Sequence, residues 1–115
     1  MKKIYHLATC STCIRIIKKL NNGEGFELQN IKEDKITPEQ LDSMAEMAGS
    51  YEALFSRRAM KFKALDLKNK ELSEADYRNY ILDEYTFLKR PVTIIDDEIF
   101  VGNASKTIEE VKQRL

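Results

Sequence analysis

Cys10 and Cys13 are the only cysteines of the chain, and His6, four residues before the first of them, is its only histidine. A CxxC pair can be a thiol–disulfide couple, half of a metal site, or two small apolar residues in a core. Apolar residues at Cys13, Ile14, Ile17 and Leu20, with Arg15, Lys18 and Lys19 between them, predict an amphipathic helix. It opens after Cys10 and closes at the run NNGEG. Cys10 then stands at a helix N-terminus, where unpaired N–H groups and the helix dipole favour a thiolate. Cysteines so placed have pKa values lowered from about 8.5 to roughly 3.5–7.5. Cys13 lies nearly one turn further on, placed to attack a mixed disulfide formed at Cys10. Position therefore makes Cys10 the nucleophile and Cys13 the resolving thiol.

A closed zinc site wants about four Cys or His ligands. Two cysteines and one histidine fall short, and no carboxylate has a recognisable spacing, so no metal is expected. His6 has two readings. It is either a satisfied core histidine on the first strand or a group close to Cys10 that supports the thiolate as a cation or hydrogen-bond donor. Arg57, Arg58 and Arg90 also have two readings, as solvated surface charges or as bidentate ligands for a tetrahedral oxyanion. Pro91 opens a strand, which suits an edge or a turn.

The elements that must position these groups are legible in outline. Residues 2–7 (KKIYHL) read as a first strand, and Phe26, Leu28 and Asn30–Ile31 as a weaker second one whose alternation rests on Phe26 and Leu28. Thr37-Pro38-Glu39-Gln40 opens a helix with a cap, a proline at the first helical position and a capping-box glutamine. Leu41, Met44, Ala45 and Ala48 line one of its faces, and Gly49 ends it. Residues 51–67 read as one or two short helices. Ser73-Glu74-Ala75-Asp76 starts another, through about Tyr85, with Tyr77, Ile81 and Tyr85 on one side. Val92–Ile95, the turn Asp96-Asp97 and Glu98–Val101 form a hairpin. Ser105–Leu115 closes the chain as a helix on Ile108, Val111 and Leu115.

The order is β-α-β, a helical insert, then β-β-α. A β-α-β unit makes the first two strands parallel, and the hairpin adds an antiparallel pair. The expected fold is α/β: a thioredoxin-like four-stranded mixed sheet flanked by helices, with a helical insert between strands 2 and 3. With 115 residues, 43% of them hydrophobic, one domain over 1–115 is expected. Nineteen basic and nineteen acidic side chains cancel, so the chain lacks the global field of a general nucleic-acid binder, while a local basic patch is compatible with the count. No signal peptide or membrane span is read, and the expected location is the cytoplasm, where thiols stay reduced and a CxxC serves catalysis or sensing.

Three segments in this order, IYHLATCSTCIRIIKKL, LFSRRAMKFKALDL and FLKRPVTIIDDEIFVGN, resemble the arsenate reductase/Spx family over essentially the whole chain. The resemblance implies a cis peptide bond before Pro91, facing the cysteine, and a role for His6 in lowering the thiol pKa. It implies that Cys10 attacks arsenate, with glutathione and glutaredoxin completing the reduction; no metal, flavin or nucleotide motif appears, so no bound cofactor is expected and the reductant is glutathione, glutaredoxin or thioredoxin. Of the family's three oxyanion-binding arginines, Arg90 corresponds to one. Arg57 or Arg58 falls nearest the second, with Ser56 in its strict place, and Asn103 stands at the third. The run LATCSTC also replaces the family's NPxCGTS and adds the second cysteine, which points to a general CxxC redox protein. In the Spx branch a CxxC is a disulfide switch, and the protein binds the RNA polymerase α subunit. Arg58, Phe62 and Leu65 resemble that branch's R…F..L stretch, although Spx proteins extend past the last helix. The leading expectation is thus a cytosolic thiol–disulfide oxidoreductase with Arg57, Arg58, Arg90 and Pro91 shaping its anion site. The alternative is a redox-switched transcription regulator.

Overall fold

A computed structural model describes all 115 residues, which fall into two compact units, one built from 1–35 and 90–115 and the other from 36–89. In the first, β1 (Lys2–His6) leads into α1 (Ser11–Lys19), then β2 (Glu27–Asn30); after the second unit come β3 (Val92–Ile95), β4 (Glu98–Val101) and a C-terminal helix, Ser105–Lys112. The sheet order is β2-β1-β3-β4, with β1 parallel to β2 and antiparallel to β3, and β3 antiparallel to β4. This is the expected mixed sheet. The hairpin forms over the expected residues, with Asp96 at φ 54° in its two-residue turn.

Period-2 alternation puts Ile4, Ile95 and Phe100 on one face, where Ile16 and Leu20 of α1 and Ile108 and Val111 of the C-terminal helix pack against them. The buried stripe of α1 is therefore Cys13, Ile16 and Leu20, not the Cys13–Ile14–Ile17–Leu20 set read from the sequence. Ile14 is 43% exposed and Ile17 packs only at the margin. Both stripes have helical spacing, and only the tertiary partner chooses between them. Leu28 likewise shares the face of its register partner Ile4 but is half exposed on the edge strand. The buried β2 residue is Gln29 on the opposite face, its side-chain amide donating to the Asp34 carbonyl at 3.0 Å. Between α1 and β2, Gly23 has φ +80°, and a Cβ there would meet Ile17 at 3.2 Å and Leu28 at 3.3 Å. Leu115 lies beyond the last helix and is exposed, so the terminal stripe reduces to Ile108 and Val111.

In the second unit α2 (Pro38–Ala48) has the capping box read from the sequence: the Gln40 N–H donates to Thr37 Oγ1 and the Thr37 N–H to Gln40 Oε1, both at 3.1 Å. Gly49 ends the helix at φ 98°. The 51–67 region yields one short helix, α3 (Met60–Ala64), between single 3₁₀ turns at Glu52–Leu54 and Leu67–Asn69. α4 (Glu74–Asp83) starts in a second capping box between Ser73 and Asp76, and the C-terminal helix described above is α5. Phe55 is fully buried, with Phe87 stacked on it at 5.0 Å and Tyr77 tilted against it at 4.9 Å. No helix is long and apolar enough to cross a membrane.

Candidate active site

β1 delivers the chain to the site and a short loop turns it into α1. The His6 carbonyl accepts the Ile31 N–H at 2.9 Å, and Asn30 Oδ1 accepts the Ala8 N–H at 3.2 Å. The Cys10 N–H donates back to the Leu7 carbonyl at 3.0 Å, closing the turn. Cys10 is the N-cap of α1, in an extended conformation (φ −88°, ψ 114°), and its carbonyl accepts the first helical bond from Ile14 at 3.1 Å. No serine, threonine or aspartate oxygen caps this helix. The sulfur stands where a capping oxygen would, and the Thr12 and Cys13 N–H groups at the second and third helical positions favour its charged form.

The two thiols are free, Cys10 partly exposed and Cys13 fully buried. Burial raises the proton affinity of Cys10, but the Cys13 backbone N–H, the Cys13 thiol, the Thr12 N–H and the Arg90 charge together outweigh it. The result is a Cys10 thiol held below its ordinary range. Cys13 is pushed up to about 11, first by burial and then by the neighbouring Cys10 charge, against which the Leu7 N–H and Arg90 act only partly. The pair thus divides the two roles, a more acidic thiol at the surface and a reserve thiol beneath it.

Arg90 immediately precedes β3, and its charge reaches both sulfurs. The Arg90–Pro91 peptide bond is cis, Pro91 is buried, and its carbonyl accepts the Gly102 N–H at 2.9 Å. His6 is half-buried, and burial lowers its imidazole below the ordinary range, so at neutral pH the ring is uncharged. Its ring makes no hydrogen bond and is not among the groups that shift Cys10.

Arg57 and Arg58 belong to the second unit. The Arg57 guanidinium donates to Glu52 Oε2 at 2.8 Å and to the Tyr77 hydroxyl at 3.0 Å, and it lies 5.7 Å from the Tyr77 ring centroid. The Arg58 side chain is exposed and makes no ion pair. Nowhere do three or more His, Cys, Asp or Glu side chains gather in a metal-binding cluster.

Two contributors escaped sequence reasoning. Asn30, which holds the Ala8 N–H, is 22 residues from it in sequence. Its only signal was its place at the end of the second strand, paired with His6. The electrostatic reach of Arg90 to residues 10 and 13 follows from β3 lying beside β1, which no local pattern announces.

A mixed four-stranded sheet with a cysteine at the first strand–helix turn and a cis-proline opening the third strand defines a thioredoxin-like protein. A family model for the ArsC family matches residues 5–111, and the chain belongs to that family. Among solved structures, it superposes on an arsenate reductase from Vibrio cholerae (20% identity, TM-score 0.80, covering 99% of this chain and 97% of that one). It also resembles an arsenate reductase (ArsC) related protein from Brucella melitensis (24%, TM-score 0.74, 95% and 92%). A Staphylococcus aureus protein solved by solution NMR matches at 26% identity and TM-score 0.78, with 96% and 97% covered. No curated protein matches the sequence.

Proposed function

We propose that the chain is a thiol–disulfide oxidoreductase in which Cys10 is the nucleophile and Cys13 the resolving thiol. The observation that carries this reading is the divided pair: Cys10 at the N-terminus of α1 with a lowered pKa, Cys13 buried beside it with a raised one. The Cys10 thiolate attacks one sulfur of a substrate disulfide, forming a mixed disulfide and releasing the other sulfur as a thiolate. Cys13 then loses its proton and attacks Cys10 Sγ, closing the Cys10–Cys13 disulfide and expelling the second substrate thiolate. The substrate gains two electrons and the CxxC loses two.

With arsenate as substrate the balance is the same. Cys10 displaces water from As(V), Cys13 attacks Cys10 Sγ, and As(III) leaves as arsenite with the electron pair of the As–S bond. An outside reductant, glutathione with glutaredoxin or thioredoxin, returns the disulfide to two thiols in a reducing compartment such as the cytoplasm. Arg90 stabilises both the thiolate and an incoming anion. Of the mid-chain pair, the Arg57 guanidinium is engaged by Glu52 and Tyr77 and is not free to hold an anion. Pro91 shapes the wall of the groove.

An NADPH-coupled assay of arsenate reduction, run with glutathione and glutaredoxin and separately with thioredoxin, tests the substrate and the reductant together. Turnover with thioredoxin, lost in Cys10→Ser, is the expected result. The same CxxC also suits a redox-switched regulator of transcription. Capture of the RNA polymerase α C-terminal domain in one redox state, without turnover in either assay, would decide for that reading.

A further inference from the structure

In a chain whose charges cancel, residues 57–70 carry six cations, Arg57, Arg58, Lys61, Lys63, Lys68 and Lys70, against one carboxylate, Asp66. Arg57 pairs with Glu52 at 2.8 Å and Lys61 with Glu84 at 3.7 Å, while Asp66 is engaged by the Asn69 side chain at 2.8 Å. The other four cations have no acidic partner. Their field is therefore turned toward solvent rather than spent inside the fold.

The same segment encloses a depression of about 280 Å³. Asp66 takes a left-handed conformation (φ 53°) between α3 and the turn at Leu67–Asn69, which sets Leu67 in the interior and leaves Lys68 and Lys70 exposed. Phe62, Leu67, Leu72 and Tyr77 supply the apolar lining, and Arg57, Lys68 and Lys70 the polar one. Close by in sequence, Met60 is 89% exposed and Leu65 43%. An apolar recess bordered by two cations without an acidic partner, Lys68 and Lys70, suits an anion that carries an apolar group.

The volume lies just below the range of about 300–1,000 Å³ usual for small-molecule sites, which fits one inserted side chain better than a whole cofactor. Nucleic acid fits poorly, because base binding needs open aromatic faces. Tyr77 is buried with Phe55 against it and Arg57 beside its ring, and the Phe62 ring meets Phe55 edge-on at 6.1 Å. We propose that the surface around Phe62, Leu67, Lys68, Lys70 and Leu72 docks an acidic peptide segment of another protein, which inserts one aliphatic side chain into the recess. This site lies wholly in the 36–89 unit and does not depend on the cysteine chemistry.

The test uses the full reduced chain and three fluorescein-labelled probes: the peptide Asp-Glu-Asp-Leu-Glu-Asp-Glu, the same peptide with serine for leucine, and a seven-nucleotide thymidine oligomer. The leucine peptide is expected to bind about tenfold or more tighter than the serine peptide, from the burial of one aliphatic side chain. Added salt should weaken it, and backbone amide shifts should centre on Leu67, Lys68, Lys70 and Leu72. A Lys68→Glu/Lys70→Glu variant should lose the binding while Cys10 alkylates at its normal rate. Absence of binding, equal binding of both peptides, tighter binding of the oligomer, or shifts centred elsewhere would each overturn the proposal.

Discussion

The Cys13 thiol favours the charged form of the Cys10 sulfur, and the two groups sit on opposite sides of the ordinary thiol pKa, Cys10 below it and Cys13 pushed up to about 11. One turn of helix separates the more acidic surface thiol from its buried reserve. Once Cys10 is tied up in a mixed disulfide, its charge no longer opposes ionisation of Cys13, and only burial does. Formation of the first adduct thereby prepares the second step.

The lowered Cys10 pKa should appear directly in alkylation. The rate of Cys10 modification by iodoacetamide, followed against pH, is expected to reach half its maximum below the pH at which a free thiol does. Arg90→Gln removes the one neighbouring cation that favours the thiolate and should raise that midpoint. His6→Gln should leave it unchanged, because the His6 ring is not among the groups that act on the Cys10 sulfur. A midpoint at the free value in the unmodified chain would contradict the site as described.

Stability should fall on the alkaline side. The folded chain holds the Cys13 proton to about 11, whereas an unfolded thiol gives it up near 9.0. Between those values the unfolded state binds fewer protons, so unfolding becomes easier as pH rises. The loss amounts to roughly 2–3 kcal/mol, at 1.36 kcal/mol per pKa unit. Cys10 has the opposite sign: its native thiolate adds stability as pH climbs from the folded pKa to the unfolded one. Urea unfolding between pH 8 and 11 is expected to show the Cys13 decline (on the order of 1 kcal/mol per unit) and to lose that component in Cys13→Ala.

The α1 register can be checked by truncation on its two rival stripes. Ile16→Ala should cost roughly 2–5 kcal/mol as a buried deletion. Ile14→Ala, on the exposed side, should stay within about 0.5 kcal/mol. Equal costs would restore the stripe read from the sequence.

Thr37, Gln40 and Gly49 announced α2 because caps are local devices, and Asp96-Asp97 announced the hairpin for the same reason. The faces of α1 and β2 were less legible. Ile14 and Ile16 are the same residue type two positions apart, and only the sheet and α5 decide which is buried. Leu28 looked like core, yet as an edge-strand residue it stays half exposed while Gln29 is buried with its amide satisfied. At the site, Cys10 and Cys13 could be read from spacing alone. The contribution of Asn30, and of Arg90 acting on both sulfurs, depends on strand pairing across dozens of residues. The engagement of Arg57 depends on Glu52 and Tyr77, which carry no motif.

The most direct measurement is a time-resolved reaction of the reduced protein with oxidised glutathione, quenched and digested with trypsin. Both cysteines fall in one peptide, Ile4–Arg15. A glutathione adduct should appear first on Cys10, then give way to a peptide two hydrogens lighter that holds the Cys10–Cys13 disulfide, and Cys13→Ser should stop at the adduct. First attachment to Cys13, or a Cys10 adduct that persists in the unmodified protein without closing the disulfide, would contradict the division of labour between the two sulfurs.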